Sequence, residues 1–142
     1  MVLDVTVDGE KQTYTLVFNY TPPLTAQERA APRRRRRRRA TLCALYPGGV
    51  RDLEALRGRM PLGSAVVPCS HDDNFDRRRG RDEALLQTLR DAARRWFHYK
   101  HPEGGWFDSR HFSAVRRAYV ERARAPSLSA VLSVVVDMRE QL

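Results

Sequence analysis

The sequence has little of several features that would define a class of protein. Only two cysteines occur among 142 residues, which is too few for a disulfide scaffold. No apolar run reaches the roughly 18 residues of a transmembrane helix, and the first residues lack the basic and apolar regions of a secretory signal. We therefore expect a protein of the reducing cytoplasm in which Cys43 and Cys69 are free thiols.

The sequence also lacks the short motifs of common enzyme sites. It has no Gly-x-Ser-x-Gly elbow, no P-loop and no dinucleotide fingerprint. Acidic residues could hold magnesium in a nuclease, but acids so interleaved with arginine are more simply explained as ion pairs. The acids concerned are Glu54, Asp72, Asp73, Asp76 and Asp82. We expect no cofactor, and the sequence favours a binding protein over an enzyme.

Two pairs of residues have spacings that zinc ligands can have, but neither pair completes the pattern of a zinc site. Cys69 has His71 two residues further on, and His98 and His101 lie three residues apart at the end of a predicted helix. Cys-x-His is an unusual ligand pair, and no Cys-x-x-Cys accompanies it. We therefore assign no metal site.

The charge of the chain is dominated by arginine. Of 26 basic residues 24 are arginine, and with 17 acidic residues the formal net charge is +9. The run Arg33–Arg39 alone supplies seven of the positive charges. Adjacent guanidinium groups repel one another and cannot be buried together, so we expect the run to project into solvent or onto a polyanion.

The first twenty residues predict a β-hairpin. Residues of high strand propensity occur on both sides of Asp8-Gly9, a dipeptide typical of tight hairpin turns. We predict strands over 2–7 and 12–20, the second ended by the prolines that follow it. Residues 21–40 are polar, charged and without a usable period, which predicts a flexible arginine-rich loop.

The middle of the chain predicts shorter elements. Residues 41–46 suit either a buried strand or the end of a helix that begins in the arginine run, and we favour the strand. Residues 64–67 indicate another strand. Apolar residues at helical spacing predict a short helix over 50–60, namely Val50, Leu53, Leu56 and Met60.

The second half of the chain predicts helices. An apolar stripe defines a helix from Asp82 to about Tyr99, and Asp108 is the predicted N-cap of another that ends at Pro126. The stripe consists of Leu85, Leu86, Leu89, Ala93, Trp96 and Phe97. Residues 127–142 fit a helix by periodicity, although three consecutive valines in them favour a strand.

These elements together predict an α+β fold in a single domain over 1–142. A small sheet built on the N-terminal β-hairpin is expected to be packed by the helical C-terminal half.

The densest cluster of functional side chains lies in residues 69–85. Gly80 stands just before the predicted helix, and arginines surround it, which suggests an anion site at the helix N-terminus. These arginines are Arg77, Arg78, Arg79 and Arg81. We expect Gly80 to take a left-handed conformation and Phe75 to be buried. The alternative is a capped loop whose arginines pair with neighbouring aspartates.

The same segment resembles a motif of small bacteriophage and prophage proteins of uncharacterised function. The pattern is Cys-Ser-x-x-Asp-x-Phe-x-Arg-x-x-Gly-Arg-x-x-Ala-Leu, and it covers 17 residues of this chain. Its fixed places are filled by Cys69, Ser70, Asp73, Phe75, Arg77, Gly80, Arg81, Ala84 and Leu85. Those proteins usually continue with Gly-Arg-Ala-Leu, where this chain has Leu-Gln-Thr-Leu. The resemblance implies a phage or mobile-element origin and a host-cell location, but no reaction.

Basic residues interleaved with aromatic ones are a further signal. The stretches 94–100 and 105–112 combine arginine with rings, which suits phosphate contact and base stacking. Trp96 and Phe97 lie on the apolar stripe and are expected in the core. Trp106 lies beside two glycines and is expected to be exposed.

The function expected is a small phage-type regulatory protein that binds nucleic acid through arginine-rich surfaces. The alternative is a protein-binding inhibitor or modulator of a host complex such as RNA polymerase or a defence system, since an acidic protein surface attracts the same charge. No membrane partner is expected. The residues predicted to bind the partner are Arg33, Arg34, Arg35, Arg36, Arg37, Arg38, Arg39, Arg77, Arg78, Arg79, Gly80, Arg81, Arg90, Arg94 and Trp106.

Overall fold

The computed structural model describes residues 1–69, 77–99 and 107–124. Within these ranges the elements are β1 (Val2–Val7), β2 (Glu10–Tyr20), α1 (Ala26–Ala30), β3 (Ala40–Pro47), β4 (Gly63–Pro68), α2 (Arg77–Tyr99) and α3 (Ser109–Arg124), with 3-10 turns at Arg33–Arg35 and Leu53–Leu56. The predicted α+β class is confirmed. Predictions about Phe75, Trp106 and residues 127–142 fall outside the described residues.

The strands form one antiparallel sheet in the order β1-β2-β3-β4. The β1–β2 turn has the predicted Asp-Gly geometry, because Asp8 and Gly9 adopt φ values of 51° and 80°. The strands predicted near 41–46 and 64–67 are confirmed as β3 and β4. The N-terminal hairpin therefore provides half of the sheet, as the sequence predicts.

The pairing defines the two ends of the sheet. Tyr20 lies opposite Thr41, and Ala40 lies opposite Pro68, so the end of β2 meets the start of β3. Residues 21–39 connect the two strands there, and we call this the arginine end. The β3–β4 connection, residues 48–62, lies at the opposite end.

Both long helices cover one face of the sheet. The helix α2 packs on β3 and β4, whereas α3 packs on β1. A side chain at Gly63 would lie 2.5 Å from the carbonyl oxygen of Thr88 and 2.6 Å from the nitrogen of Ala92, so the backbones of α2 and β4 are in close contact. The core between sheet and helices includes Leu3, Val5, Tyr14, Leu16, Leu45, Val67, Leu85, Leu89, Phe107 and Val115.

The backbone of each edge strand forms a hydrogen bond with a side chain of the helix packed over it. Asp91 of α2 accepts a hydrogen bond from the Ser64 amide of β4 at 2.9 Å. Arg122 of α3 donates to the Val2 carbonyl of β1 at 3.1 Å. Backbone groups at the edge of a sheet can pair with another chain, and these charged side chains occupy two of them.

Three predicted elements differ from the structure. The helix expected to start at Asp82 begins at Arg77. The expected loop over 21–40 contains α1 and a 3-10 turn. The helix expected over 50–60 is only the turn Leu53–Leu56, because Gly58 has a φ of 74° and interrupts helical geometry.

Candidate functional site at the arginine end of the sheet

The helix α1 is fixed by a capping box that spacing in the sequence could have indicated. The Thr25 hydroxyl accepts a hydrogen bond from the Glu28 amide at 3.1 Å, and the Glu28 carboxylate accepts one from the Thr25 amide at 3.1 Å. Thr-x-x-Glu is the usual spacing for this reciprocal pair. The arginine-rich connection therefore starts from a defined turn of helix.

Two arginines of the run fold back and hold this connection. Arg37 donates to the Glu28 carboxylate at 2.9 Å and to the Pro22 carbonyl at 3.0 Å. Arg36 donates to the Ala31 carbonyl at 2.8 Å. The prediction that the whole run points into solvent is therefore wrong for Arg36 and Arg39, which are both half-buried.

The Arg37 contact also affects Glu28. Its hydrogen bond, together with that from the Thr25 amide, lowers the pKa of Glu28 from 4.5 to about 2. Because the carboxylate stays ionised down to low pH, it neutralises one guanidinium of the run at neutral pH. Other side chains of the run are exposed, namely Arg33, Arg34, Arg35 and Arg38, whereas Arg39 is half-buried.

The start of α2 lies against the same end of the sheet. The Arg77 guanidinium lies over the Tyr20 ring, with its central carbon 4.6 Å from the ring centroid. Such stacking is favourable for a cation and an aromatic face. Since Tyr20 is the last residue of β2, this contact brings the predicted residues Arg77, Arg78 and Arg79 to the arginine end.

Position 80 requires glycine because a side chain there would clash with β3, and not because the backbone has an unusual conformation. The prediction of a left-handed Gly80 just before a helix is wrong, because the residue lies inside α2 and has no left-handed φ. A Cβ at this position would lie 2.3 Å from the Thr41 hydroxyl oxygen and 3.3 Å from the Thr41 Cβ. Glycine therefore lets the first turns of α2 approach β3. The anion site predicted at Gly80 is not supported, since the helix begins before it.

A groove of about 760 Å³ lies between α2 and α3 near this end. Its rim includes Arg78, Arg79, Arg81 and Arg116, with Asp82 and Glu83, and its floor includes Leu85, Leu86, Tyr119 and Val120. Sequence reasoning left Arg116 out of the site, because only the packing of α3 against α2 brings it there. The Nε atom of Arg81 is buried and has no hydrogen-bond partner in the part of the chain that the structure describes.

Arg90 and Arg94 belong to a different surface. Arg90 lies about 18 Å along α2 from Arg78, at 1.5 Å per residue. Both residues line a shallow groove beside Ser64 and Asp91, and Arg94 forms an ion pair with Asp91 at 3.1 Å. These two predicted residues therefore lie outside the arginine end.

The aromatic residues are distributed differently from the prediction. Phe97 is 71 % exposed, although its spacing predicted a core position, whereas Trp96 packs against the core as expected. Phe107 and His111 are almost fully buried, so they are not available for base stacking. The ring of Phe107 meets that of Tyr14 edge-on at 5.9 Å.

Asp108 is the N-cap of α3, as predicted. Its carboxylate accepts hydrogen bonds from the Arg110 amide at 2.9 Å and contacts Nδ1 of buried His111 at 3.0 Å. Nε2 of His111 meets the Gln12 amide nitrogen at 3.3 Å, and Gln12 accepts from the Tyr14 hydroxyl at 2.6 Å. This polar chain joins α3 to β2 and satisfies the buried imidazole.

The cysteines are free thiols, as predicted. Cys43 is buried, and burial raises the pKa of its thiol to about 11. Within the described residues, no group of three or more His, Cys, Asp or Glu side chains is arranged to hold a metal ion. His71 and His101, which complete the two spacings considered for zinc, lie outside these ranges. No helix in the described ranges is long and apolar enough to cross a membrane.

Comparison of the chain with protein-family models, curated proteins and solved structures found no match.

Proposed function

We propose that this protein binds nucleic acid at the arginine end of the sheet. The observation that carries the proposal is the meeting of two arginine groups that are far apart in the sequence. Residues 21–40 and 77–83 together contain twelve arginines and three carboxylates. Arginine forks bind phosphate oxygens in a bidentate way, so a phosphate polymer suits this end.

The opposite end of the sheet carries less positive charge. Residues 48–62 contain three arginines and two carboxylates, and Arg57 pairs with Glu54 at 3.5 Å. The part of α2 that packs at that end, residues 90–95, adds three arginines and one carboxylate. The excess is then three positive charges there and nine at the arginine end. A concentrated field attracts a polyanion more strongly than the same charge dispersed over the surface.

A protein-binding inhibitor or modulator of a host complex is the second candidate. The groove between α2 and α3 favours it, because an apolar floor with an arginine rim suits the acidic amphipathic helix of another protein. Either role is proposed for the cytoplasm of a host cell. The resemblance of residues 69–85 to phage proteins of uncharacterised function is the reason for proposing that location.

A salt titration tests the nucleic-acid function. If arginines neutralise phosphates, the logarithm of affinity falls linearly with the logarithm of salt concentration, with a slope of about −0.9 per phosphate. Six contacts then weaken binding about a thousandfold between roughly 50 and 200 mM salt. We expect the paired change Arg34→Ser and Arg35→Ser to make this slope shallower by about two contacts.

The matched control is the pair Arg57→Ser and Arg59→Ser at the opposite end of the sheet. This variant removes the same charge and should retain the steeper slope. The absence of binding to both duplex and single strand at low salt would overturn the nucleic-acid function. If the control variant shows the same decrease in the salt dependence of binding, the assignment of nucleic-acid binding to the arginine end is overturned.

A further inference from the structure

We infer that the arginine end recognises the phosphate backbone of a duplex and not the bases of a single strand. The inference rests on the proposed function, and it names the form of nucleic acid that this site takes. Proteins that bind single strands combine positive charge with aromatic faces on which successive bases stack. The use of the described rings at this end therefore bears on the choice between the two forms.

The described aromatic rings at the arginine end pack against other side chains of the protein. Arg77 covers a face of Tyr20 at 4.6 Å. The rings of Phe18 and Tyr119 pack on each other with centroids 5.9 Å apart, and Tyr119 is only 5 % exposed. A base that stacked on Tyr20 from this side would have to displace the Arg77 guanidinium.

The exposed ring of Phe97 lies at the other end of α2. It is about 30 Å along the helix from Arg77, and His98 meets the ring at 5.5 Å in an edge-on arrangement. The C-terminal part of α2 packs beside Gly63, where β4 begins, which is the end of the sheet away from the arginine run. Phe97 is therefore not part of the arginine end.

Charge density favours the duplex for the same site. A duplex carries one phosphate charge per about 1.7 Å of axis, twice the density of each of its strands. The backbone that carries the arginines at this end is held by the Arg37–Glu28 pair and by the close approach of Gly80 to Thr41. A dense group of cations on a fixed backbone gains most from a regular, dense array of phosphates.

Competition binding tests the inference with a labelled duplex of mixed sequence, about 20 base pairs long, a length that offers many phosphates to one protein. Unlabelled duplexes of different sequence should compete equally. An oligothymidine strand of the same length should need about tenfold more phosphate to compete, because it offers a lower charge density. Equal or better competition by the single strand would overturn the inference while leaving the proposed function intact.

A ring substitution gives an independent measurement. Tyr20→Leu removes the support of Arg77, so we expect it to weaken duplex and single-strand binding by the same factor. Tyr20→Phe should restore both, since the aromatic face is retained. A loss confined to the single strand in Tyr20→Leu would show that bases stack on this ring and would overturn the inference. Failure of the parent protein to bind any nucleic acid would instead overturn the proposed function.

Discussion

Two glycines in this protein are required by what lies next to them. Gly80 faces the Thr41 side chain, and Gly63 faces the backbone of α2 at Thr88 and Ala92. Each permits α2 to approach a strand more closely than any side chain allows. Sequence reasoning identified Gly80 as important but attributed the importance to a left-handed backbone, because a contact between distant residues leaves no local signal.

Gly80→Ala should lower the free energy of unfolding by about 1–3 kcal/mol through overpacking against Thr41. In a Thr41→Ala background the clash with the hydroxyl is gone, but the tight contact with the Cβ of residue 41 at 3.3 Å remains. Gly80→Ala should then be close to neutral, because the preference of a helix for alanine over glycine, about 1 kcal/mol, offsets that contact. A double-mutant cycle of denaturant melts measures this coupling.

The control for that cycle is Gly58→Ala. Gly58 has a φ of 74°, and a Cβ placed on it would meet no heavy atom within 4 Å, so its cost comes from backbone conformation alone. This cost should be the same with and without Thr41→Ala. A Gly80→Ala penalty that persists unchanged in the Thr41→Ala background would contradict the contact.

Asp108 and Phe97 show which features of a single residue can be predicted from its position in the sequence. Asp108 was predicted correctly as an N-cap, because capping depends on neighbours in the sequence. Phe97 was assigned to the core by its spacing, yet Trp96 packs against the core and Phe97 is exposed. Adjacent residues on a helix point about 100° apart, so when the apolar stripe is broad only tertiary packing decides which one is buried.

At the scale of elements, the arginine-rich connection is organised by one carboxylate. Glu28 completes the capping box of α1 and also accepts the Arg37 guanidinium. Folding lowers the pKa of Glu28 from 4.5 to about 2. The interaction therefore stabilises the connection fully above about pH 4.5 and is lost as the pH falls through about 2.

Arg37→Ser should raise the pKa of Glu28 towards its ordinary value, and the connection should then loosen at a higher pH than in the parent. Side-chain NMR titration of the Glu28 carboxyl measures the shift. Arg38→Ser is the matched control, since Arg38 is the exposed neighbour in the same run. If the carboxyl titrates alike in both variants, the Arg37 pair is not the main cause of the low pKa.

Most elements were predictable, because they are specified by local patterns. Alternation and Asp-Gly specify the β1–β2 hairpin, and apolar spacing specifies α2 and α3. The helix α1 was not predicted, although Thr-x-x-Glu was present. A helix of five residues in a polar, charged segment has no apolar periodicity to indicate it. Helical spacing over 50–60 was misleading because Gly58 interrupts it.

At the scale of the whole molecule, the topology brings some of the predicted site residues together and leaves others apart. Arg33–Arg39 and Arg77–Arg81 come together because β2, β3 and α2 share an end, and an antiparallel topology with a long β2–β3 connection is what joins them. Arg90 and Arg94 follow in the same helix but lie elsewhere. The sequence indicates which charges are present, whereas their grouping depends on the path of the chain.

Replacement of Arg33–Arg39 by a Gly/Ser linker should leave the sheet and long helices folded. Arg36 and Arg37 contact α1 and its flanking residues, and no side chain of the run belongs to the main core. We expect a melting temperature within a few degrees of the parent, together with a large loss of affinity for duplex. Circular dichroism and thermal melts check the fold; a variant that fails to fold would assign the run a structural role.

The edge contacts of Asp91 and Arg122 bear on how many copies can gather on one polyanion. A long duplex would concentrate this protein and bring neighbouring sheets close to each other, a condition that promotes strand exchange between copies. For Ser64 or Val2 to pair with a neighbour through these edge groups, the contacted side chain must first be displaced, and each such side chain is carried by a helix anchored in the core. These two contacts therefore oppose pairing of the edge groups of Ser64 and Val2 with a neighbouring sheet wherever copies of the protein are concentrated.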